Sequence, residues 1–162
     1  MNDATEQVSG IGRALGRIPS GIYVLTCKLE DRVETMLASW VQQAGFKPPS
    51  ISVAVGRDRA IGRAIAQSRV FAVTILSAGD KALMKRFAKV AAGDDPLEGV
   101  ALVERVGRAP VLADGLAWLE CDLAEIYDFG GDHQLVVGRV AAGDMIREGQ
   151  AYTHQRKSGL QY

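Results

Sequence analysis

The sequence predicts a mainly β domain with peripheral helices: an antiparallel barrel with short helices packed against its outside. Three observations predict it. Strand-like runs rich in β-branched and aromatic residues recur at short spacing, few long helices separate them, and two turn-linked pairs of runs read as hairpins. A doubly wound parallel sheet would need a helical crossover between successive strands. With 162 residues, 48% of them hydrophobic, the chain can bury a core as one domain without disulfide or metal staples. No internal repeat, low-complexity tract or linker divides it.

The elements follow in order. After a short polar tail, Val8, Ile11, Leu15 and Ile18 fall at helical spacing, which predicts a helix over 8–18, weakened by three glycines and ended by Pro19-Ser20-Gly21. Ile22 to Cys27 reads as a strand, Lys28 to Glu34 as a charged turn and Thr35 to Val41 as the returning strand, together a first hairpin. Pro48-Pro49 can neither continue a helix nor donate to a ladder, so it marks the start of a strand over Ile51 to Val55. Gly56-Arg57-Asp58 is then a turn.

Ala60 to Ala66 reads as a short helix and Val70 to Leu76 as a buried strand. Lys81 to Val90 is amphipathic, with Leu83, Phe87 and Val90 on one face and Asp80 placed to cap its start. Ala91 to Gly99 is a loop. Gly115 to Tyr127 and Gln134 to Ala142 are long strands, joined into a second hairpin by Asp128-Phe129-Gly130-Gly131-Asp132.

Composition narrows the function classes. Nineteen basic against nineteen acidic side chains leave no net charge, so the overall field predicts no nucleic acid and no membrane as partner. Small ligands or other proteins remain. Cys27 and Cys121 stand alone in apolar runs, which reads as small core residues rather than a redox or zinc pair. With only His133 and His154 besides, the sequence predicts no metal site, and any cofactor should be organic. No apolar run approaches the roughly 20 residues that span a bilayer, and the beginning of the chain lacks an apolar signal core, so the expected compartment is the cytoplasm.

The common catalytic fingerprints, GxGxxG after a first strand, P-loop, GxSxG and HExxH, are missing from the sequence, which leaves subtler stretches to carry chemistry. Ala38-Ser39-Trp40-Val41-Gln42-Gln43-Ala44-Gly45 puts small residues, a hydroxyl and two amides at a strand end, suited to a flat heterocycle. An ordinary barrel strand leaving its sheet reads the same. Gly56-Arg57-Asp58-Arg59 offers close backbone approach and two guanidiniums that suit phosphate, or two solvated surface charges. His133, after Gly130-Gly131-Asp132, is either a site residue or a turn histidine bonded to backbone, and Asp132 is equally a turn-capping carboxylate.

These segments, in this order, resemble the flavin reductase-like family, whose members bind FMN or FAD on a split β-barrel and usually work as homodimers. The resemblance runs from about Ile18 to Tyr162, leaving 1–17 as a tail and helix and 18–162 as the single domain. Ile18-Pro19-Ser20-Gly21-Ile22-Tyr23-Val24-Leu25-Thr26 resembles the family's opening strand, and Met36-Leu37-Ala38-Ser39 with Lys47-Pro48-Pro49 its flavin-contacting stretch. Phe71 to Leu76, Gly107 to Leu112 and Leu119-Glu120-Cys121 match interior strands, and Gly131-Asp132-His133 the Gly-Asp-His signature. The run Met36 to Ala44 and the ending His154 to Tyr162 are similar to the C-terminal flavin reductase module of diflavin flavoproteins. The sequence departs from many stand-alone reductases at Leu37, Trp40 and Thr74, where those carry threonine, serine and asparagine.

The resemblance implies an antiparallel split barrel and an NAD(P)H:flavin oxidoreductase, in which NADH or NADPH gives hydride to N5 of bound FMN, with FAD also possible. It implies Ala38, Ser39, Trp40, Val41 and Gln42 around the ring and ribityl chain, Gly56 and Arg57 at the phosphate, and His133 as the catalytic residue near the nicotinamide or flavin edge. Ser68 and Arg156 are outer candidates, whose plain alternatives are a helix C-terminal cap and a solvated tail residue. The rival reading is an FMN-binding electron-relay module serving a protein partner, with no nicotinamide site of its own.

Overall fold

The computed structural model describes residues 10–90, 93–103 and 108–161. Val8 and Gly107 lie outside the described residues. Strands β1 (Tyr23–Leu29), β2 (Arg32–Ala38), β3 (Val41–Phe46), β4 (Pro49–Gly56), β5 (Val70–Ile75), β8 (Ala117–Tyr127) and β9 (His133–Met145) form one seven-stranded sheet in the order β2-β1-β5-β8-β9-β4-β3. Every pairing in it is antiparallel. A small ribbon, β6 (Leu102–Val103) with β7 (Val111–Leu112), lies apart. The helices are α1 (Gly10–Gly16), α2 (Ala60–Ser68) and α3 (Lys81–Ala88).

The connection between β2 and β3 dictates the shape. These strands hold opposite edges of the sheet, yet only Ser39 and Trp40 separate them. In a flat seven-stranded sheet six gaps of about 4.8 Å would hold the edges roughly 29 Å apart, whereas three Cα steps from Ala38 to Val41 reach about 11 Å at most. The sheet must therefore coil until its edges nearly meet. That is a split barrel, with Ser39-Trp40 bridging the split.

Inside the coil, alternate positions of β4 (Ile51, Val53, Val55) meet Leu25 and Cys27, Phe71 and Val73, Cys121 and Leu123, and Val136. Ile61, Ala64 and Ile65 of α2 join the same core, as a helix with one apolar stripe must. The interior is narrow at Gly138, where an added Cβ would lie 2.5 Å from Phe71 Cζ and 2.7 Å from Cys121 Cβ. On the outer face Ala72, Ala109, Val111 and Trp118 form a second layer, pinned where Thr26 Oγ1 donates to Pro110 O at 2.5 Å. This covering explains why β1 and β5 read as continuous apolar runs rather than alternating ones.

Several expectations are corrected. The predicted strand over 35–41 begins earlier, at Arg32, and breaks at Ser39-Trp40, because the chain changes edges there. The charged turn shrinks to Glu30 and Asp31 between β1 and β2, with Glu30 left-handed at φ 55°. Helix α1 ends at Gly16 rather than Ile18, and Ile11 within it and Ile18 beyond it are exposed while Gly12 and Gly16 are buried. This helix packs through glycine, by close backbone approach, not through its apolar stripe. Helix α3 stops at Ala88, which leaves Val90 exposed. Asp80 stands at its N-cap position without a side-chain cap bond; its carboxylate instead accepts from Ser77 N at 2.7 Å and Arg147 Nη2 at 2.6 Å.

Candidate functional site

The split in the barrel assembles the candidate residues. Ser39 is 8% exposed and its Oγ has no hydrogen-bond partner among the described residues, an orphaned buried hydroxyl of the kind that is rare in finished structures. Trp40 follows, and its carbonyl accepts from Ala54 N at 3.0 Å, which fastens the crossover to β4. Val41 and Gln42 continue along the edge strand opposite Val53 and Ser52.

The β4–β9 pairing sets Gly56 directly opposite His133. The His133 ring lies 5.0 Å from the Trp40 ring, tilted by 51°, its Nδ1 is 3.0 Å from Asp132 Oδ1, and its Nε2 would be 3.9 Å from a Cβ on Gly56. The imidazole is thus oriented by Asp132 at Nδ1 and by packing on Trp40. Hydrogen bonding to His133 holds the Asp132 carboxyl below its ordinary range. Arg57 N donates to Asp132 O at 3.0 Å, and the Arg57 guanidinium pairs with Asp128. Asp128 is also pushed down, chiefly by the Gly130 N–H and then by Arg57. Arg156 Cζ stands over the Trp40 ring, 4.9 Å from its centroid, a cation–π distance.

Ser39, Trp40, Gly56, Arg57, His133 and Arg156 are therefore gathered around the split, with Ala38, Val41 and Gln42 flanking it. Ser68 is not among them. It ends α2 near the far end of β1, where its Oγ lies 3.1 Å from Cys27 Sγ and accepts from Val70 N, while the left-handed C-cap is Arg69. Arg59, the second guanidinium that the sequence offered, lines a cavity of about 1350 Å³ together with Lys28, Arg32 to Leu37 and Phe87, and none of the residues gathered at the split lines that cavity. Sequence reasoning missed Asp128 as the partner of Arg57, a pairing of positions 71 apart.

A coiled antiparallel sheet whose split carries a buried hydroxyl unpartnered among the described residues, an indole, an imidazole and guanidiniums has chemistry suited to a flat, anionic organic molecule. The model of the flavin reductase like domain matches residues 15–160, and the chain belongs to that family. It is 38% identical over 157 residues to diflavin flavoprotein A 1 of Synechocystis sp., covering 95% of this chain and 27% of that protein. The chain thus spans about a quarter of the length of the curated relatives it matches. The structure of the Streptomyces globisporus C-1027 NADH:FAD oxidoreductase is similar, with 28% identity, a TM-score of 0.79, and coverage of 88% of this chain and 86% of that one. A second structure of that oxidoreductase, at 26% identity and a TM-score of 0.79 over 88% of this chain and 85% of that one, is a complex with NAD and FAD fragments.

Proposed function

We propose that this domain holds FMN across the split of its barrel and accepts hydride for it from NADH or NADPH. The observation that carries the reading is Ser39: a hydroxyl 8% exposed and without a partner among the described residues, on the two-residue crossover where the sheet edges converge. A polar atom of the bound ring system or ribityl chain would satisfy it, in line with the rarity of buried unpaired polar atoms. When bound, FMN supplies the hydride-accepting N5 atom; the protein supplies orientation and electrostatics.

Ala38, Ser39, Trp40, Val41 and Gln42 are the proposed ring and ribityl contacts. Gly56 and Arg57 are assigned to the phosphate, with Arg59 behind them; Asp128 competes for Arg57. His133, hydrogen-bonded to Asp132 and packed on Trp40, is assigned to positioning the nicotinamide. Hydride transfer leaves no substrate proton for a base to remove, so orientation is the contribution asked of it. Ser68, tied to Cys27 and Val70, is assigned a structural part.

The identity to diflavin flavoproteins favours a second reading, a module that relays electrons between FMN and a protein partner. Stopped-flow mixing of the FMN-loaded protein with NADH or NADPH separates the two. Rapid bleaching of the flavin supports the reductase, and a flavin bleached by dithionite but by neither nicotinamide supports the relay. We further assign the protein as a cytoplasmic homodimer. Among the described residues no helix is long and apolar enough to cross a membrane.

A further inference from the structure

The ends of the described chain are zipped together beside Trp40. Arg156 N donates to Gly16 O at 3.2 Å and Gly159 N to Gly12 O at 2.8 Å, Ser20 and His154 form a β-bridge, and Arg17 Nη2 donates to Arg156 O at 2.7 Å. The fit leaves no room for side chains: a Cβ on Gly16 would lie 2.4 Å from Arg156 O, and one on Gly159 2.1 Å from Leu15 Cβ.

This zipped surface has a lopsided charge. Residues 10–22 and 149–161 contain Arg13, Arg17, His154, Arg156 and Lys157 and no carboxylate, in a chain with no net charge. Arg13 lies on α1 and Arg17 just past its end, in the turn where Arg17 N donates to Ala14 O at 3.0 Å, and both are exposed. Of the acids beside the site, Asp128 and Asp132 are engaged with Arg57 and His133, and Asp58 lies next to Gly56. Arg156 links this surface to the Trp40–His133 pair through its place on the indole face.

We propose that Arg13, Arg17 and Arg156 receive the diphosphate of the nicotinamide dinucleotide whose ring lies against Trp40 and His133. Guanidiniums suit that group because their planar forks match phosphate oxygens bidentately. The proposal rests on the donor reading above and adds its anion site, placing the donor's ring and diphosphate on one continuous surface.

The test uses FMN-loaded protein and two probes. ADP-ribose, which carries the diphosphate without nicotinamide, is followed by calorimetry; NADH is followed by the concentration dependence of flavin bleaching. Arg17→Gln and Arg156→Gln are each expected to weaken ADP-ribose about tenfold or more, as loss of a charge-assisted contact does. Arg156→Lys is expected to recover part of that loss, and higher salt to weaken the wild type toward the variants. For Arg17→Gln the half-saturating NADH concentration should rise by a similar factor while the bleaching rate at saturation changes little, a split that a merely unfolded or loosened protein would not show.

Unchanged ADP-ribose and NADH dependence in both glutamine variants overturns the proposal. So does a selective loss of FAD over FMN affinity with NADH unaffected, which would assign the surface to the second phosphate of a flavin. If neither nicotinamide bleaches the wild type, the donor reading fails by itself. ADP-ribose then still decides the anion site: binding that the variants lose upholds it, and no binding refutes it.

Discussion

Arg57 stands between two anions, one present in the fold and one proposed. Its guanidinium pairs with Asp128, and both side chains are well exposed, at 40% and 58%, so water tempers any contact it makes. Arg57→Ala is accordingly expected to weaken FMN by about 1.5 kcal/mol, the lower end for hydrogen bonds to charged groups, with the bleaching rate at saturating FMN nearly unchanged; a fluorescence titration reads it. His133 has the opposite profile. Its side chain is 19% exposed and oriented by Asp132 and Trp40, so His133→Ala is expected to retain FMN but slow bleaching by NADH or NADPH about ten- to a hundredfold. Loss of flavin with an unchanged rate in the remainder would make it a flavin contact instead. The sequence singled out both residues through the glycines beside them. It did not single out the partner of Arg57, because a pairing across 71 positions leaves no local trace.

At the scale of elements, β9 packs closely on the interior at Gly138. Gly138→Ala should destabilise the fold by about 1–3 kcal/mol by overpacking, since its Cβ would press on Phe71 and Cys121; urea unfolding measures it. Burial, then the nearby Asp122 and Glu120, pushes the Cys121 thiol up to about 12, and burial raises Cys27 as well. Both thiols should resist alkylation in the native protein at pH 8 and react once it is unfolded. Because the folded value lies above the unfolded one, the contribution of Cys121 to stability is complete below about pH 9 and lost as pH rises toward 12. Wild type should lose stability relative to Cys121→Ala by at most about 1.4 kcal/mol per pH unit in that window. Strands β1, β4, β5, β8 and β9 were readable from β-branched composition, and β3 was not, because Val41 is its only β-branched residue. The break at Ser39-Trp40 was not, because a strand that changes sheet edges keeps the same residue chemistry on both sides of the break. Helix α1 misled for a related reason: its apolar stripe is real, but backbone contact at Gly12 and Gly16 decides which face packs.

For the whole molecule, barrel closure depends on β2 and β3 reaching opposite edges, a relation set by the order of seven strands and therefore invisible to any local window of sequence. Antiparallel class and external helices, which depend on spacing and composition, were visible. The proposed homodimer should sediment at twice the 17.3 kDa of one chain across a wide concentration range, and a single-chain mass throughout would refute it. The most direct test of the central claim is an FMN titration of wild type beside Ser39→Val, followed by flavin fluorescence. The account predicts saturation in the micromolar range or tighter at about one FMN per protomer, with affinity lowered at least several-fold when the Ser39 hydroxyl is removed, as for a hydrogen bond of about 1 kcal/mol. No fluorescence change at micromolar FMN, or wild-type affinity in Ser39→Val, would contradict a flavin site at the split of the barrel.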